Sequence, residues 1–228
     1  MTELVVSEFD ELAPSQAPTV KKGLASHRAG LIALGTVVVI NCLIYFDMAT
    51  AFNTLSFSPK QGYKYGLNFG PDWQGMLIPA TYMHYDIMHI AMNMLALISF
   101  GQIVARRMGF FKFLLFYTLC GAFASLVSLA AHGSDVVGVG ASGAISGVFG
   151  ALFIIRFCGD RSVELKELGG VIVYNVIMAA TAQFVDWQAH LGGLIAGLIF
   201  GIVFVPKYGM YVLLSALMVI GVIAVIAS

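Results

Sequence analysis

The chain has 228 residues, of which 59% are hydrophobic and 11% charged, and its mean hydropathy is +0.89. A water-soluble domain of this length needs more charge to cover its surface, so the composition excludes one and points to a polytopic membrane protein. The formal net charge is zero, which gives no support to nucleic-acid binding, and Cys42, Cys120 and Cys158 show neither metal-site spacing nor a disulfide framework.

Residues 1–25 are mostly polar, with Glu3, Glu8, Asp10 and Glu11 followed by Lys21 and Lys22. No short apolar core with a small-residue cleavage site occurs there, so residues 1–28 are expected to be a flexible cytosolic tail. Seven apolar segments follow, near 29–48, 82–104, 111–131, 141–157, 169–184, 188–205 and 209–227. Each crosses or nearly crosses about 30 Å of hydrocarbon as a helix. The fourth, fifth and sixth are short, which suggests helix ends sunk below the membrane surface under a covering of protein or water.

Charge sets the expected orientation. Lys21, Lys22 and Arg28 precede the first segment, and Arg106, Arg107 and Lys112 join the second to the third. Arg156, Arg161 and Lys166 join the fourth to the fifth, and Lys207 the sixth to the seventh. The opposite connections hold Asp47, Asp72, Asp135 and Asp186, with Lys60 and Lys64 in the long first loop. Lysine and arginine favour the cytoplasmic side, so the N-terminus is expected in the cytoplasm and, after seven spans, the C-terminus outside. The membrane expected is a cell membrane, the bacterial inner one. The loop 49–81 is long and aromatic, with Phe52, Phe57, Tyr63, Tyr65, Phe69 and Trp73, and is expected to pack into the outer interface.

Three segments carry polar residues that a bilayer disfavours. The second reads HYDIMHIAMNMLALISFG and holds His84, His89 and Asn93; the last two are four apart and share a helix face. Interhelical hydrogen bonding would also explain them. A zinc site fits poorly, because His84 and His89 are five apart and no third ligand is evident; no metal or other cofactor is expected. The fourth segment opens on Gly140, Ala141, Ser142 and Gly143, and small residues recur at Gly143, Gly147 and Ala151. The sixth opens QAHLGGLIAGLIFG, with His190 at its start and Gly193, Gly197 and Gly201 every four residues. Two such smooth faces are natural partners. Packed in parallel they bring Ser142 and His190 to one depth, as a nucleophile and a general base. His89, Asn93 and the Ser142 backbone N–H would supply donors for an oxyanion. Asp186 lies near His190 and reads as a solvated loop charge rather than as a third triad member.

Together HYDIMHIAMN, GASG and AHLGGLIAG, in this order, spacing and membrane side, resemble the rhomboid family of intramembrane serine proteases, over residues 29–205. The resemblance implies an all-α polytopic fold, a rhomboid-like six-helix core (29–205) with one extra C-terminal transmembrane helix (206–228). It implies Ser142 as nucleophile, His190 as base, His89 and Asn93 in the oxyanion hole, and His84 ordering the first loop, with Gly140, Gly143 and Gly193 structural beside the site. Substrates implied are single-pass transmembrane proteins, cut near the outer end of their helix from within the lipid bilayer. Two departures stand out. Trp73 is followed by Gln74 where many members have an arginine, and Ser146 stands where many have an aromatic residue.

The competing readings are a catalytically inactive rhomboid-like protein that binds transmembrane clients, a transporter, and a structural membrane protein. A transporter should place polar residues at mid-membrane in both halves; here they gather at the ends of three helices.

Overall fold

Aspartate and glycine punctuate the helices of this chain. The structure, a computed structural model, describes residues 17–52, 73–133, 138–157, 163–181 and 186–205. Among them run six long helices: α1 (Ala17–Phe52), α2 (Ile87–Met108), α3 (Phe110–His132), α4 (Ser142–Phe157), α5 (Leu165–Thr181) and α6 (Trp187–Phe204). A single helical turn, Trp73–Met76, and a 3-10 turn, Pro79–Tyr82, precede α2. No β-strand occurs among the described residues.

Asp86 caps α2 by accepting the His89 N–H at 2.7 Å, and Asp186 caps α6 by accepting the Ala189 N–H at 2.9 Å. An aspartate side chain satisfies a first-turn donor that has no partner inside the helix. Gly109 ends α2 with φ 76° and Gly133 ends α3 with φ 77°. That left-handed conformation suits glycine because no Cβ meets the carbonyl.

Among the described residues, four stretches are long and apolar enough to cross a membrane: Ser26–Ala51, Ile87–Met108, Phe110–His132 and Trp187–Phe204. Their outward faces are apolar too, with Leu43, Met88, Leu95, Phe111 and Ile199 exposed. Helix α4 is apolar but has 16 residues, about 24 Å of rise, and so falls short of the hydrocarbon thickness. It is the central helix, buried on every side from Gly143 to Leu152, and it packs on α6, α3 and α2. Helix α1 covers α2 and α3, and α5 packs on α4 and α2.

Small residues let these helices meet backbone to backbone. A Cβ added to Gly197 would stand 2.6 Å from the Gly147 carbonyl carbon, and one on Gly150 would stand 2.7 Å from the Leu198 nitrogen. Gly147 faces Cys120 of α3, and Gly192 faces Val127 of α3. The core between these contacts is filled by Leu97, Phe113, Phe116, Ile145, Leu152 and Ile155, all nearly or fully buried.

Two expectations change here. Residues 17–28, expected in a polar tail, are helical and extend α1 before its apolar stretch. Hydropathy registers where lipid is tolerated, not where a helix starts, and Pro18 at the second helical position favours a start there. His84, expected inside the second apolar segment, lies in the turn ahead of α2, because Asp86 begins the helix at Ile87. The tail residues 1–16, most of the loop 49–81 and the seventh apolar segment lie outside the described residues.

Candidate active site

Ser142 is the first residue of α4, and the chain leading to it is held at every step. Gly140 donates its N–H to the Ala80 carbonyl at 2.9 Å, and Ala141 donates its N–H to His84 Nε2 at 3.5 Å. The Ser142 N–H is next in line; it opens a helix, where the first turn's donors find no carbonyl within the helix. Gly140 adopts φ 140°, and a Cβ there would stand 2.8 Å from both Cε1 and Nε2 of His89 and 3.8 Å from Ser142 Oγ. Glycine is therefore required on two counts, for its backbone conformation and for the space that the His89 ring occupies.

His89 sits in the first turn of α2. Its ring packs edge-on against His84, with centroids 5.0 Å apart, and stacks on Tyr85 at 6.2 Å. The spacing argument that kept the two histidines apart assumed one helix; with His84 in the preceding turn, the rings meet. His84 is fully buried, and burial, reinforced by the nearby His89, holds its imidazole well below the usual histidine range, at about 3. A neutral ring can accept the Ala141 N–H. Its partner in the structure is thus the loop before Ser142; the bulk of the first loop, which it was expected to order, lies outside the described residues.

Asn93 follows His89 by one turn on the same face of α2. It is fully buried, and neither its amide oxygen nor its nitrogen has a hydrogen-bond partner among the described residues. Both of its polar atoms are therefore open to a partner.

His190 is in the first turn of α6. A Cβ on Gly143 would stand 3.7 Å from the Ala189 carbonyl oxygen, and one on Gly193 would stand 2.8 Å from the Gly143 carbonyl carbon. This register sets residue 142 level with residues near 190. Ser142 and His190 are both half-buried, and no hydrogen bond joins them among the described residues. Such bonds are often loose before substrate arrives. Asp186 is turned to other partners, as its α6 cap and as acceptor of the Ser128 hydroxyl.

Sequence reasoning missed several supports of this cluster. The cap at Asp86 was legible as an aspartate just before an apolar helical run. The anchoring of the first loop's end was not. Tyr82 Oη and Thr118 Oγ1 hydrogen-bond at 2.7 Å, and Thr81 fills the notch left by Gly121, whose Cβ would stand 2.9 Å from Thr81 Cβ. These contacts hold the turn next to Trp73–Gln74, where the arginine of many rhomboids is absent. Ser146, in the place of the aromatic residue, is buried within α4.

The fold and this cluster define an all-α polytopic membrane protein whose polar residues gather at the starts of three packed helices. A family model for the rhomboid domain matches residues 73–207, more than half of the chain, and the chain belongs to the rhomboid family. It is 35% identical over 130 residues to the rhomboid protease GluP of Bacillus subtilis, covering 55% of this chain and 25% of that one. To the rhomboid protease AarA of Providencia stuartii it is 28% identical over 227 residues, covering 85% of this chain and 80% of that one. To the RHOMBOID-like protein 5 of Arabidopsis thaliana it is 32% identical over 148 residues, covering 61% and 47% respectively. The chain thus spans a quarter of GluP and about half of the Arabidopsis protein.

Proposed function

We propose that this protein is an intramembrane serine endopeptidase that works through a Ser142–His190 dyad. The observation that carries the reading is the close approach of α4 and α6, in which Gly143 lies beside Ala189 and Gly193, so that the first turns bearing Ser142 and His190 stand level. In this reading His190 takes the Ser142 hydroxyl proton as Oγ attacks the scissile carbonyl carbon. It then returns that proton to the departing amine as the C–N bond breaks. Water afterwards hydrolyses the acyl-enzyme by the same route in reverse. His89, Asn93 and the Ser142 N–H stabilise the oxyanion. The unpaired amide of Asn93 supports that role, since it is a donor held ready with no competing acceptor.

The substrates are single-pass transmembrane proteins. A helix hides its carbonyls in internal hydrogen bonds, so cleavage favours small or helix-breaking residues near the substrate's outer end. In this reading the substrate enters beside α5. The site opens on the extracytoplasmic face, with the N-terminus in the cytoplasm, as the lysine and arginine distribution supports.

The test uses full-length protein in liposomes with a transmembrane substrate and a fluorophosphonate probe. Ser142→Ala and His190→Ala should each abolish cleavage, and Ser142→Ala should abolish labelling, while both variants keep their detergent stability. Full activity in Ser142→Ala would move the nucleophile elsewhere. No labelling and no cleavage by folded wild type would favour an inactive client-binding protein. In a cysteine-free background, a cysteine at Asp135 should react with an impermeant thiol reagent from outside cells and one at Lys112 should not; the reverse would invert the topology.

A further inference from the structure

The start of α6 is tied down by a cluster that takes no part in the reaction proposed above. One oxygen of Asp186 accepts the Ala189 N–H at 2.9 Å, and the other accepts the hydroxyl of Ser128 on α3. Ser128 is almost fully buried. His132, one turn further along α3, brings Nε2 to 3.7 Å from Asp186 Oδ1 and donates to Gln188 Oε1 at 3.1 Å. On the other side of His190, Gly192 admits Val127 of α3, where an added Cβ would stand 2.7 Å from Val127 Cβ. Helix α6 is thus held to α3 both before and after His190.

We propose that Asp186 and Ser128 are positioning residues for His190, forming a carboxylate–hydroxyl tie that sets the height and rotation of the first turn of α6 against α4. The proposal rests on the Ser142–His190 reading. Its physical basis is what the glycine faces cannot do. Backbone-to-backbone contact along Gly143, Gly147, Gly193 and Gly197 fixes how close α4 and α6 come. A smooth face offers few interlocking side chains to resist sliding along the axis. A slip of one residue moves a side chain by about 1.5 Å, and a misplacement of about 1 Å can cost on the order of a hundredfold in rate. A directional bond at the helix start supplies the missing restraint. A buried helical serine ordinarily donates to its own helix four residues back. Ser128 bonds instead to a carboxylate on another helix, and charge-assisted bonds are roughly twice as strong as neutral ones. The His190 N–H donates to the Asp186 carbonyl at 3.1 Å, so the tied residue and the positioned one share the first helical hydrogen bond.

The experiment compares Ser128→Ala, Asp186→Ala and Asp186→Asn in full-length protein. It reads kcat and KM on a transmembrane substrate, the fluorophosphonate labelling rate per folded molecule, and thermal stability in detergent. Labelling forms the Ser142 Oγ–phosphorus bond, expels fluoride and passes the serine proton to His190, so it reports the dyad without substrate binding. Ser128→Ala keeps the cap and loses the tie: kcat and the labelling rate should fall together by about tenfold or more, with KM unchanged. Asp186→Ala should fall further. Asp186→Asn keeps an acceptor for Ala189 and a group able to pair with Ser128, and should recover to within about threefold of wild type. Wild-type kcat in Ser128→Ala overturns the proposal, as does a loss that merely follows the folded fraction with labelling per folded molecule intact. Unlabelled folded wild type, or cleavage by Ser142→Ala, overturns the dyad itself and this inference with it, a pattern distinct from the other two.

Discussion

Replacing Gly193 by alanine tests whether the closeness of α4 and α6 makes the site. The new Cβ would stand 2.8 Å from the Gly143 carbonyl carbon and 3.2 Å from its Cα, with the carbonyl oxygen closer still. Carbon atoms rest at about 3.5 Å or more, and the obstructing atoms are backbone, so no side-chain rotation relieves the clash. The helices must part by about 0.7 Å to free the carbonyl carbon and by more to free the oxygen. Gly143 adjoins Ser142, so the displacement falls directly on the nucleophile. A shift of that order predicts a loss of about a hundredfold in kcat/KM. Stability should move far less. Overpacking costs roughly 1–3 kcal/mol, and alanine regains about 1 kcal/mol of helix propensity over glycine. Gly35→Ala is the control: that position in α1 has nothing within 4 Å of an added Cβ. It should leave cleavage unchanged and raise thermal stability slightly. The assay is cleavage of a transmembrane substrate in liposomes, beside thermal melts in detergent. Wild-type kcat/KM in folded Gly193→Ala would refute the reasoning, because the site would then tolerate a parting of its two helices.

Asn93→Ala should lower kcat by about tenfold or more with little change in KM, since an oxyanion donor acts in the transition state. Its melting temperature should hold or rise, because the amide lost has no partner to abandon; a rise in KM alone would remove the assignment. Gly140→Ala should cut the labelling of Ser142 sharply, as the left-handed backbone and the His89 ring both oppose a Cβ, with strain of roughly 1–3 kcal/mol to relieve. Wild-type labelling of that variant would mean the loop moves freely. His84 has a folded-state pKa of about 3 against an ordinary 6.5. Its neutral form therefore contributes full stability above pH 6.5, and the unfolded chain's proton uptake erodes that stability as pH falls from 6.5 toward 3. His84→Gln, which keeps an acceptor for the Ala141 N–H, should flatten the acid limb of a melting-temperature profile; an unchanged limb would show that His84 is not the group responsible.

The membrane class and the apolar parts of all six long helices could be read from the chain alone, because lipid imposes a single rule: apolar runs that satisfy their own backbone. The glycine spacing in 143–151 and 193–201 likewise announced two smooth faces that pair. What hydropathy could not register was polar helix, as in residues 17–28, where no lipid enforces the pattern. The site divides in the same way. His190, His89 and Asn93 stood out because each is costly in a bilayer, and Ser142 because it opens a helix among small residues. Tertiary structure decided the rest. The helix start at Ile87 freed His84 to meet the His89 ring and the Ala141 amide, the carbonyl of Ala80 took the N–H of Gly140, and Ser128 on α3 was joined to Asp186. The three hydrogen-bonded pairs lie 57 to 60 positions apart in the chain, so no local spacing announces them, and only the packing of whole helices brings them within reach.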